Sequence, residues 1–328
     1  MLDFDEFRKR LEARGLSRKD IDFSVDVVDE FEGYLKKNGK SIASMGLSDL
    51  KKYVSLLINQ KRNSHKRLVA LARCLAFVKK NDEFMYLLGT FGASNVLPDI
   101  GDRLASIAGE EVRRRVFEGF ELPPLGTSDN TYPALTEMIV KRMEAELPHK
   151  TCRKVLTWNY HKVPDAAFKD AKERFEKAAS IDEYLEGEHK ELLKELEACM
   201  KEGRLWYEQK ITPEVLEFVK ANQEICTGVR KGDKIYETKI PFAPPEFLAE
   251  TDPVMKRYYA CHCQLVRASL KEGMSKVPST FCYCSAGYHK ARFDAVFGES
   301  VEIELLESVL KGDDRCRFAT KIPKGKMK

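Results

Sequence analysis

The amino-acid sequence predicts an α+β protein: an all-helical amino-terminal bundle followed by a mixed domain in which an antiparallel β-sheet packs against helices. Three observations lead to this prediction. Apolar residues recur at helical spacing through residues 1–118, strand-like alternation begins after residue 224, and a stretch rich in Pro, Gly and Ser at 119–133 separates the two patterns. We therefore divide the chain into a helical bundle at 1–118, a linker at 119–133 and an α+β domain at 134–328.

The composition restricts the class of protein. A chain of 328 residues is long enough for two domains, and 43% hydrophobic residues are enough to build their cores. The net charge of +4, averaged over the chain, does not by itself indicate nucleic acid. We find no apolar run of the roughly 20 residues that a membrane span needs, and no signal peptide, so we expect a cytoplasmic protein without membrane insertion.

The amino-terminal region reads as four helices. Ser17, followed by Asp20, marks a helix start, and Asn38-Gly39 ends that helix. Between Lys61 and Lys80 the chain carries seven Lys or Arg residues and no acid. Such a segment can contact DNA phosphates, for which we select Lys66, Arg67 and Arg73. The alternative is a solvated face whose cations pair with the acids of residues 20–32.

The same region resembles the SAM-like core-binding domain of tyrosine recombinases. The resemblance is carried by Leu16-Ser17, Phe31-x-x-Tyr34-Leu35, Gly39-Lys40-Ser41 and Asp49-Leu50-x-x-Tyr53. It implies a helical domain that grips DNA. Strand cleavage is not implied, because His289 and Arg292 lie in a cysteine-rich context and no suitably placed Tyr follows them.

In the second domain, turn signals and alternation predict two hairpins. The first surrounds Lys231-Gly232-Asp233, and the second joins strand Val301–Val309 to strand Arg315–Ile322 across Gly312-Asp313. A hairpin with one apolar face needs a helical cover, which residues 253–271 and 285–297 can supply.

Five of the nine cysteines lie between residues 252 and 318. They are two Cys-x-Cys pairs, Cys261/Cys263 and Cys282/Cys284, followed by Cys316. Without an export signal, these residues are expected to be reduced thiols, metal ligands or redox groups. We expect Cys261 and Cys263 to lie on a helix, about 200° apart around its axis, and Cys282 and Cys284 to lie on an extended run before a helix.

Three interpretations of these cysteines stay open. In the first, Cys261, Cys263, Cys282, Cys284 and Cys316 bind a metal, either zinc or an iron centre. In the second, Cys282 or Cys284 is a reactive thiol, activated by the start of the following helix and by His262 or His289. In the third, the cysteines are small apolar core residues.

Basic and aromatic side chains flank the cysteines. Arg pairs carboxylates in a bidentate manner, so Arg257, Tyr258, Arg267 and Tyr288 are candidates to bind a small anionic or aromatic ligand. The alternative is that these side chains only line the surface.

The end of the chain resembles the 4-vinyl reductase domain family. The matching residues are Gly298, Val301, Glu304, Glu307, Ser308, Gly312, Asp313, Cys316 and Phe318. TRAPP complex subunits have a similar fold, and aminothiazoline carboxylate hydrolases have a related ending. The resemblance implies an α+β fold around a small-ligand pocket, with cysteines that bind metal or sense redox state.

Together these observations favour a small-molecule-binding or redox-sensing protein with a cysteine-rich, metal-binding site, and with contact to DNA or a partner through the amino-terminal bundle. A homodimer is compatible with this reading. The alternative is a cysteine-dependent hydrolase or other enzyme that acts on a small anionic substrate.

Overall fold

A computed structural model describes residues 2–91 and 94–327. The chain forms two compact units. The first contains the residues up to Asn95 together with Glu121–Thr131, and the second contains Val96–Phe120 together with the chain from Tyr132 onward. Within the described residues, the first unit consists of helices and loops, whereas the second combines helices with a four-stranded antiparallel sheet. The predicted α+β class is confirmed.

The helices of the first unit are amphipathic, and the predicted helix start at Ser17 is confirmed. Their bounds are α1 (Phe4–Glu12), α2 (Arg18–Lys37), α3 (Leu47–Asn59), α4 (His65–Phe77) and α5 (Asn81–Gly89). Ser17 caps α2 by accepting a hydrogen bond from the backbone N–H of Asp20. The buried faces meet in one core, where the rings of Phe31 and Tyr53 lie 4.7 Å apart.

The boundary between the units differs from the division at 1–118, 119–133 and 134–328. Residues 96–120 belong to the second unit, where Arg115 forms an ion pair of 2.8 Å with Glu146. Most of the stretch read as a linker packs on the first unit: Asn63 donates to the backbone oxygen of Leu125 at 2.7 Å. A composition rich in Pro, Gly and Ser indicates irregular backbone, but it does not show which core that backbone packs against.

The second unit contains the remaining elements. Its α-helices are α6 (Val96–Ala108), α7 (Glu110–Val116), α8 (Tyr132–Glu146), α9 (His149–Leu156), α10 (Lys169–Lys177), α11 (Ile181–Glu202), α12 (Pro213–Lys220), α13 (Pro244–Ala249), α14 (Pro253–Ala260) and α15 (Tyr283–Phe297). Its strands are β1 (Val229–Lys231), β2 (Lys234–Thr238), β3 (Ile303–Glu307) and β4 (Arg317–Lys321). In the described parts of the chain, no helix has the length and apolar content that a membrane span requires.

The sheet joins the two hairpins that the sequence predicts. The strand order is β1-β2-β4-β3, and every neighbouring pair is antiparallel. The central pair, β2 and β4, places Glu237 opposite Phe318. Helix α15 covers one face of the sheet, and its Phe293 and Phe297 share a core with Ile235 of β2. This face and this helix position the candidate site.

Two local expectations about the cysteines are wrong. Helix α14 ends at Ala260, and Cys261 already has an extended backbone, so Cys261 and Cys263 are not helical. A helix turns about 100° per residue and would direct these two side chains apart, whereas the extended backbone lets both face the interior. Conversely, Cys282 ends a 3₁₀ helix and Cys284 lies in the first turn of α15. Pro278 precedes this helical segment, and its fixed φ favours helix initiation.

Candidate functional site

The floor of the candidate site is the carboxyl end of β2. Side chains two residues apart on an extended chain point to the same side, so Glu237 and Lys239 share the face that α15 covers. The neighbouring strand completes this floor. Phe318 lies opposite Glu237, and the backbone N–H of Lys239 donates to the backbone oxygen of Cys316 at 3.0 Å.

Helix α15 contacts this floor through one of its faces. Ser285, His289 and Arg292 follow each other at intervals of four and three residues and therefore lie along one side of the helix. The Lys239 ammonium donates to the Ser285 hydroxyl at 3.2 Å. One helical turn further on, the His289 Nδ1 lies 3.1 Å from a carboxylate oxygen of Glu237.

The same oxygen of Glu237 is also approached by an arginine whose side chain is largely buried. Arg292 Nη1 lies 3.7 Å from Glu237 Oε1 and donates to the backbone oxygen of Cys226 at 2.8 Å. Arg292 Nη2 pairs with Glu188 at 3.3 Å. The arrangement is a buried chain of charges that fixes the carboxylate against the imidazole.

The contacts of His289 determine its tautomer. A carboxylate only accepts hydrogen bonds, so His289 in its neutral form carries its proton on Nδ1 and has a lone pair on Nε2. The ring stacks on Phe318, with centroids 4.5 Å apart and planes at 29°. His289 is 8% exposed and Glu237 is 3% exposed. Within the described residues, the buried atoms His289 Nε2 and Glu237 Oε2 have no hydrogen-bond partner.

Helix α15 approaches the turn after α9 very closely at Gly287. A Cβ added to Gly287 would overlap the backbone nitrogen and oxygen of Trp158. The same turn brings His161 to within 5.4 Å of the ring of Tyr288. A glycine at this position is therefore what allows the turn to pack on the helix that carries His289.

Substitution of Gly287 tests this packing. We expect Gly287→Ala to lower the free energy of unfolding of the second unit by about 1–3 kcal/mol, because backbone atoms must move apart. Urea unfolding followed by tryptophan fluorescence measures the change, since Trp158 and Trp206 both belong to the second unit. Gly187→Ala in α11 is the control. No atom lies near its added Cβ, so we expect a gain of roughly 0.5–1 kcal/mol. Equal effects at the two glycines would contradict the close approach.

The five carboxy-terminal cysteines come together from three segments, and we call them the thiol group. They are Cys261 and Cys263 after α14, Cys282 and Cys284 at the start of α15, and Cys316 before β4. Their pKa values show their proximity. Burial raises the pKa of Cys282 well above its usual range, and the neighbouring Cys316 and Cys261 raise it further. Burial, together with Cys261, Cys284 and Cys282, does the same to the pKa of Cys263.

The structure does not give Cys284 the lowered pKa that we expected from its place at the start of a helix. Cys284 lies in the first turn of α15, yet burial raises its pKa to about 12, despite the opposing charge of Lys239. Burial raises the pKa of Cys261 to about 12 and also raises that of Cys316. Desolvation outweighs the favourable end of the helix dipole, so the thiol group is uncharged near neutral pH. Uncharged thiols are poor nucleophiles, which weighs against Cys282 or Cys284 as a catalytic residue.

His262 lies between the first two cysteines and is also neutral. Its Nε2 is 2.6 Å from the backbone oxygen of Ile240, which can only accept, so Nε2 carries the proton and Nδ1 has the lone pair. Burial lowers the pKa of His262 well below its usual range, and the charge of Lys239 acts in the same direction. The charge of Lys239 thus acts both on the thiol group and on His262.

The residues selected for ligand binding do not form one set. The Arg267 guanidinium lies 4.5 Å from the ring of Tyr258, and its Nη2 donates to the Tyr258 hydroxyl at 2.8 Å. Arg257, on the same helix as Tyr258, has a buried Nε without a partner among the described residues. Tyr288 contacts His161 and His289 instead.

In the first unit, two of the three residues selected for DNA contact pair with acids. Lys66 lies 2.8 Å from Asp20, and Arg67 lies 2.7 Å from Glu30. Arg73 contributes to the lowered pKa of Asp20, after the larger effect of Lys66. These contacts correspond to the solvated-face alternative and neutralise part of the basic segment. DNA contact stays a prediction.

Sequence reasoning missed Glu237, Lys239 and Ser308 as site residues. Ser308 is buried, and its hydroxyl donates to the Cys282 sulfur at 3.0 Å. The sequence did contain a signal for Glu237 and Lys239. In the run Tyr236-Glu237-Thr238-Lys239, alternation places both charges on one side of a strand, and one face of that sheet had to be covered.

The cysteines do not converge on a single ion position. Across residues 2–91 and 94–327, no group of three or more His, Cys, Asp or Glu side chains is arranged to hold a metal ion. All nine cysteines, each within these ranges, are free thiols. The members of the thiol group are nevertheless close enough to interact electrostatically.

The fold and site define an α+β protein with a buried, thiol-rich site beside a charged strand-helix interface. Residues 246–327, about a quarter of the chain, match a family of unknown function, DUF6144. The matched segment includes the whole thiol group and His289, and it begins after Glu237 and Lys239. Comparisons with curated proteins and with solved structures give no significant match.

Proposed function

We propose that the second unit binds a polynuclear metal centre of the iron–sulfur class through the thiol group, and that this centre makes the protein a redox or small-ligand sensor. The observation that carries the proposal is the meeting of five thiols, two buried and three half-buried, from three segments, in one interacting group. Their resemblance to the ending of the 4-vinyl reductase family, in which cysteines are expected to bind metal, is in keeping with it.

The raised pKa values favour a metal over a reactive thiol. A redox-sensing or catalytic cysteine needs thiolate character and access to solvent, whereas burial opposes ionisation throughout this group. A bound cation reverses this balance, because thiols that coordinate a metal are deprotonated outright. Several buried thiols side by side thus suit a metal better than they suit a nucleophile.

The number of thiols favours several metal atoms over one. A zinc ion needs about four ligands converging on one point, and no such group exists among the described side chains. Iron–sulfur clusters are held by Cys thiolates around a larger inorganic core, so their ligands lie further apart. Cys261, Cys263, Cys282 and Cys316 would hold the centre, with Cys284 as a further thiol. Such a centre supplies reversible one-electron chemistry.

Other residues of this chain would tune the centre. The Ser308 hydroxyl, which donates to Cys282, would stabilise the thiolate form of that ligand. Lys239 would offset the negative charge of several thiolates, since its ammonium already favours the ionised form of Cys282 and Cys316. Hydrogen bonds and net charge are among the factors that set the potential of such clusters.

Anaerobic incubation with Fe²⁺ and sulfide tests the proposal. We expect the full chain to take up iron and acid-labile sulfide in equal amounts and to gain broad visible absorbance. In Cys282→Ser and Cys316→Ser, we expect the iron content to fall at least about tenfold, because a ligand is lost. Cys199→Ser is the matched control: Cys199 is buried in the same unit but belongs to the core of α11 and α12, and it should retain full iron.

The other outcomes separate the alternatives. Stoichiometric zinc that both variants lose would contradict a polynuclear centre and establish a single-ion site. Protein that takes up neither metal, with one rapidly alkylated cysteine, would support the cysteine-dependent hydrolase. Protein without metal and with uniformly slow alkylation would leave the thiol group as packed core.

A further inference from the structure

The pair formed by His289 and Glu237 has two buried atoms that require a partner. His289 Nε2 and Glu237 Oε2 are without a hydrogen bond among the described residues, and both side chains are more than nine-tenths buried. Buried polar groups in folded proteins are nearly always hydrogen-bonded, because an unsatisfied one costs free energy. Glu237 Oε2 is an acceptor, and so is Nε2 of an imidazole that carries its only proton on Nδ1, so a hydrogen-bond donor suits both atoms.

A positive charge lies beside this pair. Lys239 is two residues from Glu237, about 7 Å along an extended strand, and Ser285 is one helical turn from His289. The contact between Lys239 and Ser285 therefore lies next to that between Glu237 and His289. An ammonium has three N–H donors, and Ser285 takes one. A ligand at this interface would bind beside one anion-binding group, the Lys239 ammonium, and near two hydrogen-bond acceptors, His289 Nε2 and Glu237 Oε2.

We propose that this strand-helix interface binds a short hydroxycarboxylate, with its carboxylate at Lys239 and its hydroxyl donating to His289 Nε2. The hydroxyl is preferred over a charged amine because Arg292 already offsets the charge of Glu237, and Lys239 would repel an ammonium group. Glu237 fixes the tautomer of His289 that accepts the hydrogen bond, and Arg292 fixes Glu237. Tyr288, which is 40% exposed and contacts His289, places the interface near solvent. This site needs no metal centre.

Matched acids that differ only by the hydroxyl test the proposal. Isothermal titration of the full chain would compare glycolate with acetate, L-lactate with propionate, and 3-hydroxybutyrate with butyrate, so that several chain lengths are sampled. We expect at least one hydroxy acid to bind about fivefold more tightly than its counterpart, which is the worth of one net hydrogen bond.

Variants assign the preference to these residues. Glu237→Gln lets the amide donate to Nδ1, so the histidine can carry its proton on Nε2 and lose the acceptor. His289→Phe removes the acceptor and keeps a ring against Phe318. We expect both variants to lose the fivefold preference, and Lys239→Met to weaken both members of each pair. His189→Phe is the control, because His189 lies elsewhere and contacts Thr227.

Nitrogen-15 NMR of histidine-labelled protein adds a readout that does not depend on a ligand. It should show His289 protonated at Nδ1, and Glu237→Gln should change this tautomer in folded protein even if His289→Phe does not fold. The proposal is overturned by equal binding of every acid pair, by no binding at all, or by a preference that persists in Glu237→Gln. Loss of iron uptake in the cysteine variants bears on the metal centre alone and leaves this result unchanged.

Discussion

Raising the pH from 8 to 10 is expected to remove about 3 kcal/mol from the free energy of unfolding of the metal-free second unit through Cys261 and Cys284 alone. Burial raises the pKa of each thiol from 9.0 to about 12. Below pH 9 both the folded and the unfolded chain hold these protons, and the stabilisation is fully present. As the pH rises from 9 towards 12, the unfolded chain releases them and the folded chain keeps them, so stability falls by roughly 1.4 kcal/mol per pH unit for each thiol.

Urea unfolding at each pH, followed by the fluorescence of Trp158 and Trp206, measures this dependence. The variant Cys261→Ala/Cys284→Ala separates the effect of these two thiols from that of the other groups that titrate in this range. Between pH 8 and pH 10, the variant should lose about 3 kcal/mol less of its free energy of unfolding than the wild type. Metal-loaded protein should also lose less stability than metal-free protein as the pH rises, because its thiol ligands are already deprotonated. An identical loss in wild type and variant would mean that these thiols are not buried as described.

Replacing Arg292 by Met is expected to lower the free energy of unfolding of the second unit by about 3–5 kcal/mol. The substitution leaves Glu237 as a buried carboxylate without its arginine, and an uncompensated buried charge is costly; Glu188 keeps its ion pair with Arg174. The backbone oxygen of Cys226 also loses its donor. Urea unfolding at neutral pH measures the change.

Arg315→Met is the matched control for this prediction. Arg315 pairs with Glu307 at 2.7 Å, but the two side chains are 43% and 29% exposed. Pairs in solvent contribute little, so we expect a loss of less than about 1 kcal/mol. If both substitutions cost the same, Arg292 does not serve as the buried cation of this network.

Much of the fold follows from local patterns in the sequence. The two hairpins combine period-two alternation with Gly232-Asp233 and Gly312-Asp313 turns, and both form as strands at nearly the predicted positions. The capping signal at Ser17 correctly marks the start of α2. These signals work because turns and caps are determined by residues a few positions apart. The domain boundary was harder to predict from the sequence than the caps and turns, because it depends on which distant helices a segment packs against.

The candidate site was only partly predictable. The density of cysteines indicated where a site would lie, and the structure brings those thiols together. The local geometry was wrong at both Cys-x-Cys pairs, because tertiary packing overrides the periodicity of so short a segment. The metal interpretation itself stays a proposal.

The sequence by itself determined the α+β class, the hairpins and the positions of the thiols along the chain. Only the tertiary structure decided that His289 meets Glu237 and that Lys239 meets Ser285, because these partners lie about fifty residues apart along the chain. It also decided the direction of the pKa of Cys284. A helix start lowers a thiol pKa and burial raises it, and the depth of burial depends on the packing of the whole unit rather than on neighbouring residues.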